Sequence, residues 1–136
     1  MDFEKLIEYR CTHNHFMRRL GIEIAELSLD SAAMVKTVGP DDLNPLGYAH
    51  GGVYFTMADS AAGTAMATHG YVAVTMNATY NYFRSAAEGD VITARASLVK
   101  RGQTVSVYDV RVTDQNDTLL GTGTFTFYQL EEKIEL

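Results

Sequence analysis

Residues 50–66 read HGGVYFTMADSAAGTAM. After the His-Gly-Gly, every residue except Asp59 is apolar, small or hydroxylic. A carboxylate in such a setting has the chemistry of a general base. On a helix, its neighbours at three and four residues are Phe55, Thr56, Ala62 and Gly63, none of them basic. Aspartate is also a mediocre helix former, because its short side chain competes for backbone hydrogen bonds. The plainer alternative puts Asp59 on a solvated stripe with Thr56, Ser60 and Thr64, but that stripe carries no other charge. The segment opens at His50-Gly51-Gly52, where the free N–H groups and the positive end of a helix dipole would meet. One short element thus offers a base and a donor suited to an oxyanion.

The elements that must position these groups are legible from spacing. A helix is predicted from Gly51 to about Thr68, ending at His69-Gly70, with Gly70 suited to a left-handed stop. Its small inner half, Ala58 to Ala65, would let a sheet approach closely. Upstream, Phe3, Leu6, Ile7 and Cys11, then Phe16 and Leu20, follow helical spacing and predict a short N-terminal helix. Strands are expected over Ile22–Leu27 and Ala33–Val38, around a turn at Leu29-Asp30-Ser31. A loop follows at GPDDLNPLG, which holds both prolines. Val72 to Tyr82 alternates with period two, the strongest strand signal in the chain. Val91–Val99, Thr104–Thr113 and Leu119–Tyr128 follow as further strands, and Gly121 and Gly123 on one face would make room for the helix above. The pattern is α+β: a long central helix wrapped by a mostly antiparallel sheet of about six strands, the last four forming a meander.

At 136 residues, the chain is expected to be one domain over 1–136. A hydrophobic fraction of 46% and a charged fraction of 21% are those of a globular protein. The net charge of -6, with no run of Lys or Arg beyond a pair, argues against nucleic acid as a partner. Cys11 is the sole cysteine, so no intrachain disulfide can form and a reducing compartment is the simpler expectation. MDFEKLIEYR lacks the apolar core of a secretory signal, and no apolar run approaches the roughly 18 residues needed to span a bilayer. The composition therefore predicts a cytoplasmic protein without a membrane partner.

The stretch from Asn44 through His50-Gly51-Gly52 to Asp59, with Ala73-Val-Thr-Met-Asn-Ala-Thr-Tyr, Phe83-Arg84, Gly89-Asp90, Arg101-Gly-Gln and Tyr108-Asp-Val, resembles the hot-dog-fold acyl-CoA thioesterases of the phenylacetate-degradation type. The resemblance covers most of the chain. It implies the hot-dog fold and hydrolysis of an acyl-CoA thioester. By the same resemblance, Asp59 is the carboxylate that activates water or attacks the carbonyl itself, and Gly51 supplies the N–H that polarises that carbonyl. Asn44 would help hold water or substrate, and His50 would shape the loop. Gly52 belongs to the same substrate-contacting start of the helix. The family's sites lie between subunits, which implies a homodimer or a dimer of dimers, a homotetramer, with Asp59 and Asn44 from different chains. Many members carry a Ser or Thr facing the carboxylate where this chain has Ala73; Thr75, two residues on along the same strand face, is the hydroxyl at hand.

A thioester expels a thiolate whose conjugate acid has a pKa of roughly 8 to 9, so the set needs no strong general acid, metal or cofactor. His13, His15 and His69 are expected on the surface or in packing rather than as ligands. Arg84, Lys100 and Arg101 are the cations placed to meet coenzyme A phosphates, with solvated turn residues as the alternative. Tyr48, Tyr54, Tyr80, Tyr82 and Phe83 would line an acyl pocket or pack the core and an interface. Two other functions fit the fold: a hydratase or dehydratase of acyl thioesters, and a non-catalytic acyl-CoA-binding module.

Overall fold

The structure, a computed structural model, describes residues 1–136. Helix α1 (Phe3–His13) is capped by Asp2, whose side chain accepts from the Lys5 N–H at 3.2 Å. The expected N-terminal helix is divided in two. Asn14 ends α1, and its side chain accepts from the Met17 N–H to start the short α2 (His15–Arg19). Asparagine favours such a cap over a helix interior, so the break falls there. Strands β1 (Glu23–Ser28) and β2 (Ser31–Thr37) then pair around Asp30, which turns with a φ of 60°.

The proline-containing loop holds a 3-10 turn at Pro40–Asp42 and a buried ion pair, Lys36 Nζ to Asp42 Oδ2 at 2.9 Å. Lys36 also donates to the Leu20 carbonyl, and Asp42 Oδ2 accepts from the Gly39 N–H at 2.7 Å. The Asp42 carbonyl accepts from the His50 N–H at 2.8 Å, so this pair fixes where the next helix begins. That helix is α3 (Gly51–Ala67), with His50 as its N-cap. Ala58, Ala61, Ala62 and Ala65 are fully buried, and no apolar stripe stands out, as befits a helix enclosed on most sides. Gly70, at a φ of 83°, turns the chain out of the helix.

Strands β3 (Tyr71–Tyr82), β4 (Val91–Lys100), β5 (Val105–Thr113) and β6 (Leu119–Lys133) complete one sheet in the order β1-β2-β4-β5-β6-β3. Every pairing is antiparallel. The sheet wraps α3, and the core lies between them, with Met34, Ile92, Val110 and Phe125 facing Met57, Ala61 and Ala65. This is the α+β hot-dog architecture that the sequence implied.

Three expectations are corrected. The meander has three strands, β4 to β6, while β3 pairs with β6 at the far edge. Residues 83–90 are longer than a tight hairpin turn and pass the start of α3 instead: Ala86 is buried, its N–H donates to Tyr54 Oη at 2.7 Å, and its carbonyl accepts from Ala49. The chain thus re-enters the sheet beside β2. Second, the period of two in β3 is interrupted by a bulge between Thr75 and Asn77. The extra residue switches faces, so Ala73 and Thr75 before it and Ala78 and Tyr80 after it all point toward α3. Third, the room above Gly121 and Gly123 is taken by the Tyr80 ring of the neighbouring strand, joined over Gly123 by Phe125, rather than by the helix. A Cβ on Gly121 would strike Tyr80 Oη, and one on Gly123 would lie 2.7 Å from Phe125 Cε2 and 3.0 Å from Tyr80 Cδ2.

Candidate active site

Asp59 sits midway along α3, half-buried, and Thr75 of β3 donates its hydroxyl to Asp59 Oδ1 at 2.8 Å. One carboxylate oxygen is thereby fixed and the other left open. The guanidinium of Arg10, from α1, feels the charge of Asp59. Arg10 Nε donates to Thr64 Oγ1 at 2.8 Å, and its Nη2 lies above Gly63, one turn beyond Asp59. Burial pushes the Arg10 pKa down, and the negative charge of Asp59 pulls it back up. A cation thus stands near the apparently lone carboxylate, delivered by a helix remote in sequence, although no ion pair joins the two. Arg10 escaped the sequence reading, although it stands three and four residues from Ile7 and Leu6 on the buried stripe of α1, where an arginine needs a reason.

A second group surrounds the start of α3. Asn44, Gly51, Tyr54, Tyr82, Phe83 and Arg84 line a cleft of about 330 Å³. The Asn44 side-chain oxygen accepts from the N–H groups of Leu46 (3.0 Å) and Tyr48 (3.2 Å), which holds the turn and leaves its amide donors free. His50 Nδ1 accepts from the Gly52 N–H at 2.9 Å, so that donor is occupied by the cap. The Gly51 N–H has no partner within the chain and lies at the positive end of the helix. Tyr82 Oη donates to the Gly51 carbonyl at 3.1 Å and steadies the same turn.

The two groups do not converge within one chain. Eight residues separate Gly51 from Asp59, and at the α-helical rise of 1.5 Å per residue that is about 12 Å along the axis. A single carbonyl cannot receive a donor from one and a base from the other.

Of the three cations expected to meet phosphate, only the exposed Arg84 shares the cleft with Gly51. Lys100 is exposed at the end of β4. Arg101 is engaged inside the fold, donating to Gln129 Oε1 at 2.6 Å and Ser106 Oγ at 3.2 Å. The tyrosines divide similarly. Tyr54 and Tyr80 are packed inward, and burial raises both phenols above their usual range, while Tyr48, Tyr82 and Phe83 are exposed. His69 pairs with Asp30 at 2.6 Å at the other end of α3, and His13 stacks on Tyr9.

Comparison with known proteins gives a consistent result. The family model described as the thioesterase superfamily matches residues 46–120. The acyl-coenzyme A thioesterase PaaI of Escherichia coli is 33% identical over 98 residues, covering 72% of this chain and 70% of that protein. The solved structure of the E. coli PaaI protein superposes with a TM-score of 0.93 at 25% identity, over 96% of this chain and 95% of that one. A hypothetical thioesterase protein of Streptococcus pneumoniae, solved with coenzyme A, superposes with a TM-score of 0.79 at 27% identity, over 87% of this chain and 99% of that one.

Proposed function

The chain belongs to the thioesterase superfamily and is a thioester hydrolase; from that premise we propose that it hydrolyses an acyl-CoA to free acid and CoA, at a site assembled from two copies of the chain. The observation that carries this reading is the separation along α3 between the free Gly51 N–H and the Thr75-bound Asp59. The two groups can serve one thioester only if each copy contributes one of them. Asp59 of one copy then faces Asn44, Gly51 and Arg84 of the other.

In this site the thioester carbonyl accepts the Gly51 N–H, where the helix dipole adds to the pull on the oxygen. Thr75 holds Asp59 Oδ1, so the free Oδ2 takes a proton from water as the hydroxide adds to the carbonyl carbon. The oxyanion collapses, the C–S bond breaks, and the thiolate leaves with both electrons. With a leaving-group pKa of roughly 8 to 9, it departs without a strong acid. Attack by Oδ2 itself, through an anhydride that water then opens, uses the same geometry. Asn44 offers its free amide donors to the water or the substrate, and Arg84 is the cation best placed for CoA phosphate.

The sheet supports the partner. β3 is twelve residues long and has a neighbour on one side only. Val74, Met76 and Tyr82 along it, and Phe83 beyond it, are exposed. An edge of this length with apolar side chains is suited to pairing with a second copy, as a dimer or a dimer of dimers. A cytoplasmic setting completes the proposal, in keeping with the free thiol of Cys11 and a CoA-linked substrate.

The test is thiol release from short, medium, long and aryl acyl-CoAs by the wild type and Asp59→Asn. Cleavage of at least one class, with the variant folded but slowed by about 100-fold or more, is the expected result. No cleavage of any thioester, or a variant as fast as the wild type, would sink the proposal. Water addition to enoyl thioesters without thiol release would put a hydratase in its place.

A further inference from the structure

A small pocket lies beside the Asp59–Thr75 pair, lined by close neighbours of both residues. Gly63 lies one turn beyond Asp59 on α3, and Ala73 lies two residues before Thr75 on the same face of β3. Both line an open pocket of about 150 Å³ together with Tyr9 and Arg10 of α1 and with Tyr71 and Ile134. Most of its lining is apolar. A cavity of about this size holds one small ring or a short chain. It is too small for the nucleotide of CoA.

Arg10 is the one charged group in the lining. Its Nε is bonded to Thr64, but it takes part in none of the chain's three ion pairs, which belong to Lys36, His69 and Arg95. No carboxylate lies within 4.0 Å of it. Arg10 is part-buried, and a guanidinium partly withdrawn from water with no anion in contact gains from one that comes to pair with it. Its open Nη donors have the fork geometry that matches a carboxylate. Thr64 is five residues from Asp59, so the guanidinium stands about 7.5 Å farther along the axis, a span that roughly four to six acyl carbons would cover.

We propose that this pocket receives the far end of the acyl chain and that Arg10 binds a carboxylate there, so that CoA half-thioesters of short dicarboxylic acids are preferred substrates. The inference rests on the acyl-CoA hydrolase reading and names its substrate class. It also gives Ala73 a role: a larger side chain at that position would take up part of the pocket that Arg10 lines.

Adipoyl-CoA and hexanoyl-CoA have six-carbon acyl chains and differ only in the terminal carboxylate. Their binding to Asp59→Asn, which removes turnover, is to be titrated by calorimetry alongside CoA itself. Adipoyl-CoA is expected to bind roughly tenfold or more tightly than hexanoyl-CoA. Adding Arg10→Met should abolish that preference while leaving the affinity for CoA within about threefold. Equal binding of the two thioesters by Asp59→Asn overturns the proposal without any change at Arg10, so a misfolded Arg10 variant does not protect it. An equal loss for adipoyl-CoA, hexanoyl-CoA and CoA in Arg10→Met overturns it too, since the guanidinium would then serve CoA or the fold. If the preference and its loss are seen but the wild type releases no thiol from either substrate, the Arg10 site stands and the hydrolase reading falls.

Discussion

Two inactive variants of this protein should restore each other. Asp59→Asn removes the base but keeps an oxygen that can accept from Thr75. Asn44→Asp keeps the oxygen that accepts from Leu46 and Tyr48, and with it the turn, but removes the free amide donors. Each variant alone should retain about a hundredth of the wild-type rate or less. The groups they remove belong to opposite ends of the 12 Å or so that separate Gly51 from Asp59 along α3, so they should serve one thioester only across a two-fold axis. In a mixed dimer, one site then carries both defects and the other carries neither. Random pairing makes half of the dimers mixed, and half of their sites intact, so the pooled sample should recover about a quarter of the wild-type rate per subunit. The assay is thiol release after the two variants, carrying different tags, are unfolded and refolded together at equal concentration. Co-elution of both tags establishes that mixed dimers formed. If they form and the rate stays at the parental background, the groups act within one chain or one of them is not needed, and the argument from helix length fails.

Three further outcomes follow from the geometry around the site. Lys36→Met leaves Asp42 buried with its Gly39 bond but no cation, and should cost about 3–5 kcal/mol in denaturant titration; replacing both partners with apolar residues should cost less. His50→Ala removes the acceptor for the Gly52 N–H and should lower stability by about 1 kcal/mol, read as a lower midpoint with an unchanged denaturant slope. The Asp90 carboxyl is held below its usual range, first by the Ala87 N–H and then by the Gln115 amide, so its ionised form favours folding. That contribution is complete above the ordinary carboxyl pKa of about 4 and is lost as pH falls through the lowered folded value. Asp90→Ala should therefore destabilise at pH 7 by on the order of 1 kcal/mol, given the solvent around the group, and the gap to wild type should narrow as pH falls below about 4.

The parts legible in the sequence were those whose cause is local. Small residues from Ala58 to Ala65 announce a helix enclosed by a sheet, and alternation announces strands, because burial and periodicity are written residue by residue. Strand order is not local, although one clue was present: residues 83–90 are too long for a tight hairpin, which argued against a neighbouring β4. The bulge after Thr75 left no such mark, since Val74-Thr75-Met76-Asn77 keeps a plausible alternation while the backbone takes in one extra residue. Gly121 and Gly123 declared that space was needed but not what filled it. Tyr80 does so only because β3 crosses to the far edge and pairs with β6.

Asp59 shows why such distinctions matter for function. Viewed along its own helix it has no partner, because that view reaches only three or four residues either way. Its hydrogen-bond partner is Thr75, sixteen positions later, and a nearby positive charge comes from Arg10, on the first helix. The face-switching bulge in β3 follows immediately after Thr75; without it, the strand could not present Thr75 and Tyr80 to the same helix. Arg10 reaches α3 through Thr64, whose Oγ1 accepts from its Nε at 2.8 Å, while its Nη2 lies over Gly63, where an added Cβ would make only an ordinary contact at 3.4 Å. Thr64 is thus the residue that holds a cation little more than one turn from the carboxylate, and it does so through a contact that spans 54 positions of sequence.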